Sequence, residues 1–251
     1  MLIKRLTPTL TQLHYRDEDT LSAAGAARQL ANNNRTRVAM QATCNVAAEL
    51  DSVFVSRPDV ALLHDVRIAT ADGKLHIDHL LITHDFHLFI VESRTAGQML
   101  TICEQKTFTL TDPLGGAYAM RSPLRQLMRN RELLERLLRQ VELPTRFGRA
   151  LQPTLHHYLL IGPCAELRNQ SDLDLQLFVR PSQLVALINR QADSRPLLSF
   201  LQQMSGQQLR HTARQIAQIH APKSVRFSSK FRHVAAPEIQ AARHASMNTP
   251  Q

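Results

Sequence analysis

The sequence predicts a layered α/β fold, and three observations carry that expectation. Three strand-like runs follow one another with only short turns between them, a strongly amphipathic helix comes next, and an almost continuous apolar strand lies beyond it. Short turns make antiparallel neighbours, whereas a strand reached through a helix returns to its sheet by a crossover.

The elements can be justified in order. Ser22 to Ala31 is alanine-rich and ends at Asn32-Asn33-Asn34, which reads as a short helix halted by turn formers, within an N-terminal helical extension over 1–34. A second helix is expected from Arg35 to Leu50, with Val38, Cys44, Val46, Ala47 and Leu50 as core contacts, closed by Asp51 to Pro58. Strands are expected at Val60 to Ala69, Lys74 to Thr83 and Phe86 to Ser93, separated by Ala71-Asp72-Gly73 and His84-Asp85. Leu100 to Cys103 and Thr107 to Leu110 read as further short strands, broken by Asp112-Pro113 and Gly115-Gly116.

The clearest helix starts at Ser122-Pro123, an N-cap followed by proline at the first helical position. Leu124, Leu127, Met128, Leu134, Leu137, Leu138 and Val141 form its apolar stripe, and Arg125, Arg129, Arg131, Arg136 and Arg139 take the remaining surface. Thr154 to Ile161 then reads as a strand buried on both faces. A short strand at Leu175 to Val179, a helix at Ser182 to Asn189 and helical patterns at Pro196 to Met204 and Gln207 to Ile219 complete the ordered chain. The residues from His233 to Gln251 read as a mobile tail.

At 251 residues and 43% hydrophobic content the chain can bury a sizeable core. No apolar run approaches the roughly 18 residues that a membrane-spanning helix needs, and the N-terminus lacks a continuous apolar stretch, so a soluble cytoplasmic protein is expected. Cys44, Cys103 and Cys164 are widely spaced and odd in number, which suits neither a disulfide framework nor a paired-cysteine zinc site; they read as reduced and mostly buried. The net charge is +9, and with five lysines among the 30 basic residues the other 25 are arginines, whose planar fork suits phosphate. Such a charge attracts polyanions without proving that it binds them.

Two carboxylates interrupt apolar strands: Asp78 within Ile77-Asp78-His79-Leu80-Leu81-Ile82, and Glu92 within Phe89-Ile90-Val91-Glu92-Ser93-Arg94. A buried carboxylate is costly unless paired or metal-bound. Adjacent antiparallel strands can bring the two together as hard oxygen ligands for Mg²⁺, and Arg94, two residues after Glu92, leaves the same strand face where it could meet a phosphate. The same residues would also serve as plain charged pairs at strand ends, Glu92 with Arg94 or Asp78 with a nearby arginine.

The run DVRIATADGKLHIDHLLITHDFHLFIVESRTAGQM resembles the core of the nuclease-related domain, NERD, a branch of the PD-(D/E)xK nuclease superfamily. Asp78 matches the family aspartate, Glu92 its glutamate and Gly97 the glycine that follows; Pro123 and Gln126 match an "NPxxQ" helix start. The likeness extends more weakly from about Arg35 to about Asn189, through Phe178-Val179-Arg180-Pro181-Ser182. It implies a restriction-endonuclease-like core (helix, three antiparallel strands, helix, parallel strand) over 35–205, with the C-terminal helix and tail over 206–251 as additions. It further implies Mg²⁺ or Mn²⁺ at Asp78 and Glu92, with Arg94 and Gln126 completing a catalytic set. Two departures stand out. The family lysine is Arg94 here, which cannot readily lose a proton, and the family's helical glutamate aligns with Thr43. Glu49 lies roughly 240° further round the helix and is a poor substitute.

His76, His79, His84 and His87 crowd the same hairpin and could make a zinc site, although scattered histidines at strand edges are more often polar surface. His76 shares a face with Asp78 and could assist as a general base, whereas His79 points the other way. Three functions are therefore in play: a metal-dependent nuclease acting on DNA with Arg125 and Arg129 on phosphate, a non-catalytic nucleic-acid-binding module, and a structural domain whose charge is incidental. Whether Arg125 and Arg129 share one surface with the acids separates them.

Overall fold

The computed structural model describes residues 1–6, 41, 43–70, 72–94, 99–111, 116–139, 142–162, 165–193 and 203–219. The helix expected at Ser22 to Ala31, the start of the helix expected from Arg35, and the tail from His233 lie outside these residues. So does Cys164, and so does most of the helical pattern at Pro196 to Met204.

The central sheet contains β1 (Leu2–Lys4), β2 (Val60–Thr70), β3 (Gly73–Thr83), β4 (His87–Arg94), β10 (Thr154–Ile161) and β12 (Phe178–Val179), in the order β1-β2-β3-β4-β10-β12. β2, β3 and β4 are antiparallel neighbours, while β10 runs parallel to β4 along its whole length, from Thr154↔His87 to Ile161↔Arg94. Both edge strands are short, which limits the unpaired backbone exposed to another chain. Between β4 and β10 the chain makes a second sheet from β5 (Met99–Ile102), β6 (Phe108–Thr111) and β7 (Ala117–Met120), joined by β11 (Glu166–Asn169) parallel to β5. It then runs through α2 (Pro123–Leu138) and a small hairpin, β8 (Thr145–Arg146) with β9 (Arg149–Ala150).

Helices cover both faces of the central sheet. α2 and α4 (Gly206–Gln218) bring Leu127, Leu134, Leu209 and Ile216 onto one face, against Leu63, Leu80 and Ile90. α1, over 43–54, and α3 (Pro181–Asp193) bring Leu50, Phe54, Leu184 and Ile188 onto the other, against Leu62, Leu81 and Val91. Alternate strand residues therefore enter different cores, as the two-residue period requires. α4 shares its core with the strands although it follows residue 205. No described helix is long and apolar enough to cross a membrane.

Several expectations need correction. Ser122 occupies the N-cap position of α2 with proline next, but its side chain makes no capping bond; Ser205 of α4, by contrast, forms a reciprocal capping box with Gln208. Of the strand expected at Leu175 to Val179 only Phe178–Val179 forms, and Met204, at the end of an expected helix, is not helical. β10 is buried on both faces only towards its C-terminal end, its first five residues being partly exposed. Cys44 and Cys103 are free but half-buried, not buried. β1, β7, β8, β9 and β11 were not foreseen.

Candidate metal and phosphate site

The side-chain alternation of β2 and β3 breaks at one level. On β2, Ala61 and Leu63 face the α2 side, but past the break it is Val66 and Ile68; on β3 the same shift separates Leu75 and Ile77 from Leu80 and Ile82. Pairing is continuous on either side of the break, with His64↔His79 before it and Val66↔Ile77 after it, leaving Asp65 against Asp78. Asp65 has φ 50, a left-handed conformation that costs a residue with a Cβ about 1 kcal/mol or more. Lys4 on β1 braces it, donating from Nζ to the carbonyls of His64 at 2.7 Å and Asp65 at 2.9 Å.

The same level continues into β4. The last β3–β4 pair is His79↔Val91, and one further step in that register sets Asp78 against Glu92. Asp65, Asp78 and Glu92 thus form a transverse row of three carboxylates on three neighbouring strands. The bond from the Ser93 N–H to Asp78 Oδ2 sets Asp78 against the end of β4, next in sequence to Glu92. Asp65 was not foreseen, although His64-Asp65 on β2 mirrors Asp78-His79 on β3 about the intervening turn.

Each acid is held differently. Glu92 is fully buried; its Oε2 accepts from Gln126 Nε2 at 3.0 Å and its Oε1 from Asn130 Nδ2 at 2.6 Å. Gln126 and Asn130 lie one turn apart on α2, which puts both amides over the same carboxylate. Asn130 also donates to the His76 carbonyl, tying α2 to β3. Asp78 keeps 15% of its side chain exposed, and its Oδ2 accepts from the Ser93 backbone N–H at 2.8 Å. Asp65 accepts from Arg67 at 2.8 Å and approaches His76 Nε2 at 3.0 Å. Burial pushes its carboxyl pKa up, but the hydrogen bonds and charges of His76 and Arg67 outweigh burial and hold it well below the usual carboxylate range.

Behind the row, on the α1 side, lies a buried polar chain. His64 Nε2 meets Asp51 Oδ1 at 3.0 Å, His64 Nδ1 meets His79 Nδ1 at 2.7 Å, and His79 Nε2 meets the Ser93 hydroxyl at 2.7 Å. Burial lowers the pKa of both rings, His79 furthest, so both are neutral. With Asp51 accepting, only one order of protons satisfies every contact: His64 donates to Asp51, His79 to His64, and Ser93 to His79. Ser93 is therefore pinned by its hydroxyl on one side and by its amide to Asp78 on the other.

The histidines do not gather as a zinc site. His76 approaches Asp65 and, at 3.7 Å, Asp78; His79 belongs to the buried chain and is not surface; His84 sits by Asp85 and His87 by His156. Among the described residues no three His, Cys, Asp or Glu side chains converge on one point. Glu49 is exposed on α1, as its helical phase requires, and Arg94 closes β4.

A groove of about 920 Å³ opens beside Gln126. Lys106, Arg121, Arg125 and Arg129 line it together with Gln126, and no acidic residue among the described ones does, although Lys106 is paired with Asp172 at 3.0 Å. Arg125 and Arg129 thus share one surface with the amide that holds Glu92. Arg129 also packs over the β2–β3 turn, where Gly73 has φ 145 and a Cβ would stand 2.8 Å from the guanidinium. Elsewhere on α2, Arg131 pairs with Glu135 and Arg136 with Asp72.

These features define a three-layer α/β protein whose central sheet is crossed by a row of carboxylates beside a basic groove. Residues 39–160, just under half of the chain, match the family model of the nuclease-related domain, NERD. The matched segment runs from α1 through nearly all of β10 and includes Asp65, Asp78, Glu92, Gln126 and Asn130. No curated protein and no solved structure matches the chain.

Proposed function

We propose that this nuclease-related protein is a Mg²⁺- or Mn²⁺-dependent phosphodiesterase that acts weakly on DNA through a site at Asp78 and Glu92. What supports the reading is the Ser93 amide, which ties Asp78 to the strand end that carries Glu92, and the Gln126 amide, which ties Glu92 to a groove lined by Lys106, Arg121, Arg125 and Arg129. The order of helix, antiparallel strands, helix and parallel strand supports an endonuclease-like core, which we take to span 35–205 with residues 206–251 as additions.

The donor set suits a hydrated cation. Mg²⁺ keeps several waters and needs only one or two protein carboxylates, which Asp78 and Glu92 supply. Bound there, it would lower the pKa of a coordinated water and share the charge of the phosphate. Gln126 and Asn130 orient Glu92 without cancelling its charge, and the Ser93 amide orients Asp78. Arg125 and Arg129 would hold the polyanion along the groove, and Arg94 is assigned the reacting phosphate. Activity is weak in this reading because Thr43 stands where the family has glutamate and Arg94 where it has lysine. The same departures favour a second reading, a binding module that keeps the fold and not the cleavage.

Nicking of supercoiled plasmid at low salt with Mn²⁺ tests the proposal. Wild type nicks slowly, Glu92→Ala does not, and Thr43→Glu with Arg94→Lys nicks faster. Equal nicking by wild type and Glu92→Ala would remove this site. DNA binding with a steep salt dependence but no nicking by wild type or the restored variant would establish the binding module.

A further inference from the structure

The β8–β9 hairpin carries the most exposed large apolar side chain among the described residues, Phe147 at 75%. It occupies the tip of a two-residue turn with φ 49, followed by Gly148 with φ 75. Two successive left-handed residues make the mirror-image turn that fits a hairpin's twist, and its first position favours Asn, Asp or Gly. Phenylalanine there is unfavourable twice over, in its backbone conformation and in its exposed ring. The fold gains nothing visible from it: the ring enters none of the three apolar cores.

Arginines flank the ring on both strands of the hairpin. The Arg146 guanidinium sits 5.4 Å from its centroid and donates to the Gln203 carbonyl at 2.6 Å, so it braces one ring face. Arg149 is exposed on the next strand. A groove of about 720 Å³ follows the outgoing strand along the C-terminal half of α2; in its wall Arg131 is paired with Glu135, which leaves Arg139 as the cation available to a phosphate. A braced ring at a protruding tip, beside a groove holding cations, is the combination that binds single-stranded nucleic acid: bases stack on the aromatic and the backbone follows the charge.

We propose that the β8–β9 hairpin is a second nucleic-acid contact, in which Phe147 stacks on an unpaired base and Arg149 and Arg139 meet the flanking phosphates. It rests on the nucleic-acid reading above but not on cleavage. Arg125 and Arg139, at opposite ends of α2, are separated by about 21 Å along the helix. Arg139 lies nine residues beyond Asn130, about 14 Å along the helix, so the hairpin contact is separate from the amides that hold Glu92.

The sequence contains no tryptophan, so Phe147→Trp in the full chain places at the tip a lone tryptophan, excited apart from the three tyrosines at the red edge of absorption. With EDTA present, oligo(dT) of about twenty nucleotides quenches its emission, and a blunt duplex of equal length does so much less. Phe147→Asn, which relieves the left-handed strain, raises the melting temperature and weakens single-strand binding by about 5- to 100-fold. A tryptophan signal indifferent to oligo(dT) that wild type binds would overturn the hairpin contact and leave the Glu92 site standing. Failure of wild type to bind either oligonucleotide would overturn both. Equal oligo(dT) affinity for wild type and Phe147→Asn would assign the exposed ring to another partner.

Discussion

The central sheet holds two pairs of touching histidines, and they behave differently. His64 and His79 meet edge to face on β2 and β3, wholly buried, with ring centroids 4.9 Å apart. His87 and His156 lie flat on one another across β4 and β10, half-buried, with centroids 5.1 Å apart. The first pair runs on at both ends into Asp51 and Ser93. The second continues into an apolar stack, since His156 also lies on Phe89 at 4.7 Å. Both pairs also touch through ring nitrogens, at 2.7 Å in the first and 2.8 Å in the second, but only the first relays to further polar groups. The difference lies in whether each remaining ring nitrogen meets a polar partner or open surroundings.

The largest consequence concerns stability. His79→Leu keeps a similar volume but strands His64 and Ser93 inside the protein, and should lower the unfolding free energy by about 3 kcal/mol in urea titrations. His156→Leu, at a half-exposed stacking position, should cost less than about 1 kcal/mol. Equal losses would abolish the distinction between the pairs.

A smaller effect sharpens it. Ser93→Ala removes the hydroxyl that His79 accepts, with an expected loss of about 1 kcal/mol, while Ser93→Thr should recover most of it. Because the Ser93 amide holds Asp78, calorimetry should also find weaker Mn²⁺ binding in Ser93→Ala than in Ser93→Thr. Indistinguishable Mn²⁺ affinities would confine the histidine chain to packing.

The smallest effect is on pH dependence. Burial, then the electrostatic influence of His87, His157 and Arg131, lowers the His156 pKa from 6.5 to about 4. Between those values the unfolded chain binds more protons at this residue than the folded one, so stability rises with pH. It is lost as pH falls below about 6.5 and the loss levels off near 4. His156→Phe should therefore show a shallower decline in melting temperature from pH 7 to pH 4.5 than wild type does. An identical slope would mean that His156 titrates alike in both states.

Much of this was legible in the sequence. The hairpin strands, the amphipathic helix and the returning parallel strand all carry long periodic patterns, and an interrupted apolar run on each of β3 and β4 was enough to single out Asp78 and Glu92. Asp65 escaped because its tie to Asp78 exists only once the hairpin is folded to the right register. Asn130 escaped because a polar residue within an arginine-rich helix looks solvated until α2 is seated over Glu92. His79 read as surface for the same reason: its partner His64 comes from another strand. β7, β8, β9 and β11 are too short to show a period, and β11 pairs with a strand far from it in sequence.

The parallel placement of β10 has a consequence for biosynthesis. His87 and His156 are separated by 69 positions in the chain. At about 5 to 20 residues per second, roughly 3 to 14 s pass between their emergence from the ribosome. Throughout that interval the second edge of β4, with Phe89 and Val91, has no strand to complete it. Nascent chains that end before β10 should therefore be the ones that recruit chaperones or aggregate, and slow codons between α2 and β10 would lengthen that exposure.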